Sequence, residues 1–403
     1  MTVAHDLNLR HLRLLLGIAQ AGSLSLAARQ GGVSQPALSQ ALAKLEGAFG
    51  VSLFDRTTSG VSPTAAGRRI VRRVDHALTR ISRAFRQSSA TPQRGDPHNY
   101  LTTAHVRGLI NLAEAGSFMR AAESAGVSVP ALHRAVRDLE QLSGTPLVER
   151  RGRGVGLTRA GTTLARGFNL AHAELTTALE ESSGKGGRLA IGAMALSRSL
   201  LLPATLADLL RDHPAARVDV VEGSYLELVE LLRSGRIDML IGALRDHPGR
   251  ELLQEPLFTD RLTIIGRAEH PLARRNEGGE AGFEDLAAYP WIVARRASGL
   301  LDRWQQMFDH ADKPRPDAPI QCGSVALIRG VLVRSDFLTL LSPDQVSAEI
   351  ESGSLVTIQS CVPDTMRTIG AITRRDWYPT ALQEQFMSVL RHHATVGRTQ
   401  PGD

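Results

Sequence analysis

The sequence repeats itself, and the repeat limits what the chain can fold into more than any other feature. Displaced by 94 residues, positions 21–67 lie over 115–161 without a gap, and 22 of the 47 pairs are identical. Ala21-Gly22-Ser23 falls on Ala115-Gly116-Ser117, Ala27-Ala28 on Ala121-Ala122, and Val33-Ser34 on Val127-Ser128. Pro36-Ala37-Leu38 falls on Pro130-Ala131-Leu132 and Leu45-Glu46 on Leu139-Glu140, followed by Gly50 on Gly144 and Arg56 on Arg150. Gly60-Val61 and Ala66-Gly67 return as Gly154-Val155 and Ala160-Gly161. A match of this extent marks one small unit used twice, so the first half of the chain cannot be one large domain.

Each copy reads as a run of short helices. Leu9, Leu12, Leu15, Leu16 and Ala19 recur at helical spacing, and Gly22 stands where a helix ends on a left-handed residue. Ser23 is placed to cap a second helix through Ala27-Ala28, whose small side chains allow close packing, and Gly31-Gly32 supplies a tight turn. Ser34 caps a third helix that tolerates Pro36 in its first turn. Its apolar stripe is Leu38, Ala41, Leu42, Leu45 and Phe49, and its outer face carries Gln35, Ser39, Gln40 and Lys44. Leu53 to Val61 predicts a two-stranded wing that carries Arg56. Helix, turn and a capped helix with a polar outer face is the plan of a helix-turn-helix, whose last helix enters the major groove of DNA.

The run Asn8-Leu9-Arg10-His11-Leu12, Ala21-Gly22-Ser23, Ala27-Ala28, Val33 to Ser39, Leu45-Glu46 and Leu53-Phe54-Asp55-Arg56 resembles the winged helix-turn-helix of LysR-type transcriptional regulators. The resemblance extends over nearly the whole chain, and a second helix-turn-helix is the departure from the family pattern. It implies a linker helix used for dimerisation and a two-lobed effector domain like the periplasmic binding proteins. It also implies double-stranded DNA, a small-molecule effector and, for an activator, RNA polymerase as partners, in a homo-oligomer.

In the first copy Gln35 has the amide for a bidentate pair with adenine, and Ser39 and Gln40 reach base edges or phosphates. Ser34, Pro36, Lys44 and Arg56 belong to the same face as backbone contacts, which position without specifying. The second copy keeps the frame, with Ser128 as the cap and Arg150 in the wing, but changes the reader. Gln35 becomes Val129, Ser39 becomes His133, Gln40 becomes Arg134 and Lys44 becomes Asp138. Three readings stand: a DNA reader of different specificity, a phosphate-gripping helper, or a structural remnant. The Gly152 to Gly156 run lacks the strand and helix of a nucleotide loop and reads as the wing turn.

After each wing runs an amphipathic helix with the same stripe, Ile70, Val74, Ala77, Ile81 and Phe85, then Leu164, Phe168, Ala171, Leu175 and Leu179. Both stripes need a partner. The polar connector Ser88 to Asn99 is long enough for the two helices to pair inside one chain, or each pairs with another copy.

Past Ser182 to Gly187 the pattern turns to alternating strands and helices, an α/β arrangement. The expected class is all-α winged helix-turn-helix in two copies plus an α/β two-lobed effector domain. Expected boundaries are 7–66 and 100–160 for the winged units, 67–88 and 161–183 for the linker helices, and 187–396 for the effector domain. Lobe I takes about 187–258 and 366–396, and lobe II about 259–365. Ligands in such folds sit beyond strand ends at helix N-termini, which points to Ala195, Leu196, Ser197, Ser224, Ser298 and Ser324. Arg198, Arg295 and Arg296 favour an anionic effector such as an organic or sugar acid.

Charge divides along the same line. Residues 1–186 hold 23 Lys and Arg against 13 Asp and Glu, while the remainder holds 24 against 28. A basic first half beside an acidic second half suits a polyanion on the first half only. Two cysteines, Cys322 and Cys361, have no zinc or disulfide spacing, so neither a metal nor a cofactor is expected. Met1 to Asp6 lacks a signal-peptide pattern and no apolar run is long enough to cross a bilayer, so the expectation is a cytoplasmic chain without a membrane partner. Catalysis by Cys322 with His392-His393 lacks any supporting motif, and an interaction scaffold with decayed DNA heads sits poorly with Gln35, Ser39 and Arg56.

Overall fold

The computed structural model describes residues 4–57, 60–90, 95–152, 154–184, 186–199, 201–274, 279–295, 299–362 and 365–396. They form two compact units, Met1–Arg188 with Ser234–Arg236, and Leu189–Arg233 with Ile237–Asp403.

The first unit runs α1 (Leu9–Ala21), α2 (Leu24–Gln30), α3 (Gln35–Phe49), β1 (Phe54–Thr57), β2 (Gly60–Pro63) and α4 (Ala65–Ser88). The order then recurs as α5 (Thr103–Ala115), α6 (Phe118–Ala125), α7 (Val129–Ser143), β3 (Val148–Arg151), β4 (Gly154–Leu157) and α8 (Arg159–Ser182). The cap residues work as their chemistry demands. Ser34 Oγ accepts the Ala37 amide and Ser128 Oγ that of Ala131, both at 3.3 Å. Gly22 and Gly116 end α1 and α5 at φ of 62° and 61°.

The shared Leu-Glu dipeptide has a specific task in each copy. Glu46 Oε1 accepts the Leu53 amide at 2.8 Å, and Glu140 Oε1 accepts that of Leu147 at 2.8 Å, fixing the chain where it enters the wing. The wings β1–β2 and β3–β4 are antiparallel hairpins. Each is tied back to the turn after the first helix, Val61 N to Gly22 O at 2.9 Å and Val155 N to Gly116 O at 3.2 Å.

Helices α4 and α8 pack antiparallel along each other. Arg73 Nε meets Glu181 Oε2 at 2.6 Å, Arg73 Nη1 meets Glu174 Oε2 at 3.0 Å, and Arg80 Nη2 meets Glu174 Oε1 at 3.2 Å. Nearer the end of α4, Gly167 lies so close that an added Cβ would stand 2.1 Å from that of Ala84. Ile70, Val74, Ala77, Ile81 and Phe85 share one buried cluster with Leu164, Phe168, Ala171 and Leu175, and Leu179 packs at its edge. Burial by itself would weaken the Arg73 guanidinium's hold on its proton, but Glu181 and Glu174 outweigh it and hold its pKa above the ordinary value.

The second unit is a two-lobed α/β fold. Its strands are β5 (Arg188–Ala193), β6 (Arg217–Glu222), β7 (Met239–Ala243), β8 (Leu252–Arg267), β9 (Trp291–Val293), β10 (Ile320–Gln321), β11 (Leu338–Leu341), β12 (Leu355–Thr357) and β13 (Thr365–Arg374). Its helices are α9 (Ala195–Ser199), α10 (Leu201–Asp212), α11 (Tyr225–Arg233), α12 (Pro271–Arg274), α13 (Phe283–Ala287), α14 (Gly299–Asp309), α15 (Val325–Leu332), α16 (Ser347–Glu351) and α17 (Ala381–Val396). The strand order is β10-β9-β11-β8-β13-β7-β5-β6, with β12 also on β8. Strands β5 and β7 are parallel in one lobe, and β9, β10 and β11 in the other. The long antiparallel pair β8–β13 carries the chain across twice, with a register shift between Ile369 and Gly370. Two apolar clusters fill each lobe, around Leu209, Ile241 and Phe386 with Leu228 and Leu232 in one, and around Trp291 and Phe308 with Ile265 and Leu332 in the other.

Candidate nucleic-acid interface and effector cleft

The first turn of α3 stands out from its bundle. Ser34, Gln35, Pro36, Gln40, Lys44 and Arg56 are exposed and Ser39 is half-buried, while Leu38, Ala41 and Leu45 on the inner face are buried. Gln35 is held by the preceding helix, its Oε1 accepting from Ser25 Oγ at 3.1 Å. On α7, Ser128 and Arg134 are exposed, as is Arg150 in the second wing. His133 is half-buried and lies flat on Phe118, with ring centroids 3.7 Å apart. Free N–H groups at a helix start, exposed amides and hydroxyls, and flanking Lys and Arg suit base edges and phosphates together.

The second unit holds a cavity of about 1760 Å³ between its lobes, opposite the carboxyl ends of β5, β6, β7 and β9. Ala195, Ser224 and Ser324 line it. Both serines also serve their own helices. Ser224 Oγ donates to Glu227 Oε2 at 2.7 Å, and Ser324 Oγ accepts the Leu327 amide at 3.4 Å. The Ser224 amide and hydroxyl hold the Glu227 carboxyl below its ordinary pKa. Ser197 is placed differently from its expected role. It is fully buried, its hydroxyl is taken by the carbonyls of Met194 and Ile241 at 2.8 and 3.1 Å, and it is not on the cavity wall. Ser298, Arg296 and the side chains of Leu196 and Arg198 lie outside the described residues.

Of the expected arginines Arg295 lines the cavity, but the denser positive cluster is one that periodicity did not single out. Arg245, Arg303 and Arg367 also line it. Arg367 comes from β13 and pairs across the strand with Asp260 of β8, Nε to Oδ2 at 2.6 Å. Asp260 in turn accepts from Ser342 Oγ at 2.7 Å. Burial, with Arg303 and Arg245 nearby, lowers the Arg367 pKa against the pull of Asp260. One of its buried nitrogens, Nη2, has no hydrogen-bond partner. Arg245 lies 4.8 Å above the Tyr225 ring.

Other readings find less. Cys322 lines the same cavity, and its Sγ accepts the Ser324 amide at 3.2 Å without a neighbouring base. His393 is paired with Asp208 at 2.7 Å. Among the described residues no cluster of His, Cys, Asp and Glu suits a metal, and no helix is long and apolar enough to cross a membrane.

Capped third helices with polar outer faces, joined to a cleft between two α/β lobes, define a DNA-binding transcriptional regulator with an effector-binding domain. The chain belongs to the LysR family. Residues 182–395 match the LysR substrate binding domain, and residues 9–68 and again 103–162 match the bacterial regulatory helix-turn-helix protein of the lysR family. It is 28% identical over 393 residues to the HTH-type transcriptional regulator GalR of Pseudomonas putida, covering 96% of this chain and 98% of that one. It is 27% identical over 304 residues to the HTH-type transcriptional regulator PcaQ of Agrobacterium fabrum, covering 73% and 97%. Among solved structures the fold matches ArgP from Mycobacterium tuberculosis at a TM-score of 0.58 with 21% identity, over 72% of this chain and 96% of that one. It matches LysG from Corynebacterium glutamicum, solved with bound effector Arg, at 0.54 with 19% identity, over 72% and 96%. Relatives in this family are regulators and no enzyme family is indicated.

Proposed function

We propose that this LysR-family chain carries two winged helix-turn-helix heads that work as a pair within one molecule, reading two unlike half-sites. The observation that carries this reading is the antiparallel packing of α4 on α8, sealed by Arg73, Arg80, Glu174 and Glu181. Each linker helix already has its partner, so the first unit does not need a second chain to bury its stripes. Ser34, Gln35, Pro36, Ser39, Gln40, Lys44 and Arg56 form the first contact face, and Ser128, His133, Arg134 and Arg150 the second. Oligomerisation, where it occurs, then uses other surfaces, and an activating form would meet RNA polymerase.

The test is footprinting of the full chain on its own upstream DNA. Gln35→Ala should erase protection over one half-site and Arg134→Ala over the other. If Gln35→Ala alone matters, the second head serves only as structure. If neither matters, the DNA faces are misassigned.

For the effector we propose a small acid, an organic or sugar acid, in the cleft lined by Ala195, Ser224 and Ser324. Leu196 and Ser298 stay in the proposed site on their places in the sequence, Leu196 next to Ala195 and Ser298 next to Gly299. Arg245, Arg295, Arg303 and Arg367 supply the positive charge that a carboxylate needs. Thermal-shift screening of the full chain against small acids and neutral sugars tests this. Stabilisation by neutral sugars alone would overturn the acid.

A further inference from the structure

In the first head, Ser25 and Gln35 form a polar pair at the start of α2 and α3. The second head replaces both members at once. The positions 94 residues on are Met119 and Val129, neither with a side-chain donor and only the Met119 sulfur a weak acceptor. Both are exposed, Met119 at 70% and Val129 at 36%, and Val127, just before the Ser128 cap, is 43% exposed. Next to them Phe118 is stacked on His133, which orders the start of α6 against the outer face of α7. Single exposed apolar residues need no explanation. Here Val129 opens α7, Val127 precedes its Ser128 cap and Met119 lies in the first turn of α6, and the counterparts of Met119 and Val129 meet in the first head, where Gln35 is the reading amide; exposed positions further along α7 carry Arg134 and Arg137.

The partner for such a patch is set by the groove it faces. The major groove offers acceptors and donors on every base pair but only one apolar feature, the 5-methyl group of thymine. Valine, stiff at χ1, presents fixed methyl groups, and methionine adapts its shape around them. We infer that Met119 and Val129 form a thymine-methyl reader, so that the second head recognises by apolar contact the position that the first recognises by hydrogen bonding. This deepens the two-headed reading above and rests on it.

The experiment uses the full chain and a duplex covering its footprint. Each thymine is replaced in turn by deoxyuridine, which removes the methyl and leaves every hydrogen-bonding group in place. At one or two positions under the second head, affinity should fall roughly fourfold, the worth of one buried methyl group. That sensitivity should vanish in the Met119→Ser/Val129→Gln chain, which restores the first head's pair at exposed sites where folding is not at risk. Deoxyuridine without effect across a half-site that Arg134→Ala weakens would overturn the methyl reader and leave the second head as a DNA binder. Arg134→Ala without effect on any half-site would overturn both.

Discussion

Arg80 and Glu174 hold the same position in the two copies of the repeat, 94 residues apart, and they are ion-paired to each other at 3.2 Å. Equivalent residues meet only on the axis that relates two copies. The pair therefore marks a pseudo-two-fold between the heads, and Leu9 N meeting Thr103 Oγ1 at 3.2 Å, again 94 apart, marks it a second time. In a symmetric pair of two α4 helices from different chains, Arg80 would face Arg80. Helix α4 carries seven arginines against one aspartate, whereas α8 carries Glu174, Glu180 and Glu181. Charge thus rejects the like pairing and admits the unlike one.

Removing the shared carboxylate should expose how much rests on it. Glu174→Ala leaves Arg73 and Arg80 buried at 2% and 7% exposure with one counter-charge fewer. We expect a loss of about 3–5 kcal/mol from the first unit, read by denaturant unfolding. An equally stable variant would show that the carboxylate is dispensable.

Acid should loosen the same unit. His172 is half-buried and stacked on His5, with ring centroids 3.8 Å apart, and desolvation followed by the nearby His5 lowers its pKa to about 4. The folded state holds it neutral while the unfolded chain takes up a proton below about 6.5. Stability is therefore full above that pH and declines as the pH falls toward 4, by as much as about 3 kcal/mol. His172→Phe keeps the ring and should flatten the dependence in melts between those two values.

The two wings should respond alike to one added methyl. A Cβ on Gly67 would stand 1.9 Å from the Leu53 carbonyl oxygen, and one on Gly161 2.0 Å from that of Leu147. Alanine at either site should cost about 1–3 kcal/mol through displaced backbone. Thermal melts of the two single variants check this, and a neutral result at Gly161 would mean that the second wing yields where the first does not.

Lys44 and Gln35 should fail in different ways. Losing an exposed phosphate-facing cation at Lys44→Ala lowers affinity for all sequences and reduces the slope of log affinity against log salt by about one. Losing the amide at Gln35→Ala costs about 1–3 kcal/mol at its own base pair and leaves the slope alone. Titrations at several salt concentrations separate the two.

In the cleft, Arg303→Met should weaken a carboxylate ligand at least tenfold, since a hydrogen bond to a charged group contributes about 1.5–3 kcal/mol. A neutral ligand should be indifferent to the change, and calorimetric titration distinguishes the two.

Much of this was legible because it is local. Ser34 and Ser128 announce helix starts, Gly22 and Gly116 helix ends, and the stripe from Ile70 to Phe85 a buried face. Pairing of the two linker helices inside one chain was one of two readings open in the sequence, and which residues meet across them was not legible. Val74 and Phe168 are equivalents and both are buried, yet an antiparallel pair brings equivalents together only near Arg80 and Glu174. Ser197 and Ser224 look the same in sequence, each just beyond a strand, and only the packing turns one hydroxyl inward to the Met194 and Ile241 carbonyls. Arg367 sits near the start of a strand without a motif, and its place in the cleft follows from Asp260 across the ladder.

The intrachain helix pair also changes how such a regulator can diverge. In a dimer of identical chains every substitution in a reading helix appears twice, so the operator is held to a palindrome. Here each head has its own codons. Under the two-headed reading proposed above, Val129 can drift while Gln35 stays, and the promoter is free to lose its mirror symmetry one half at a time.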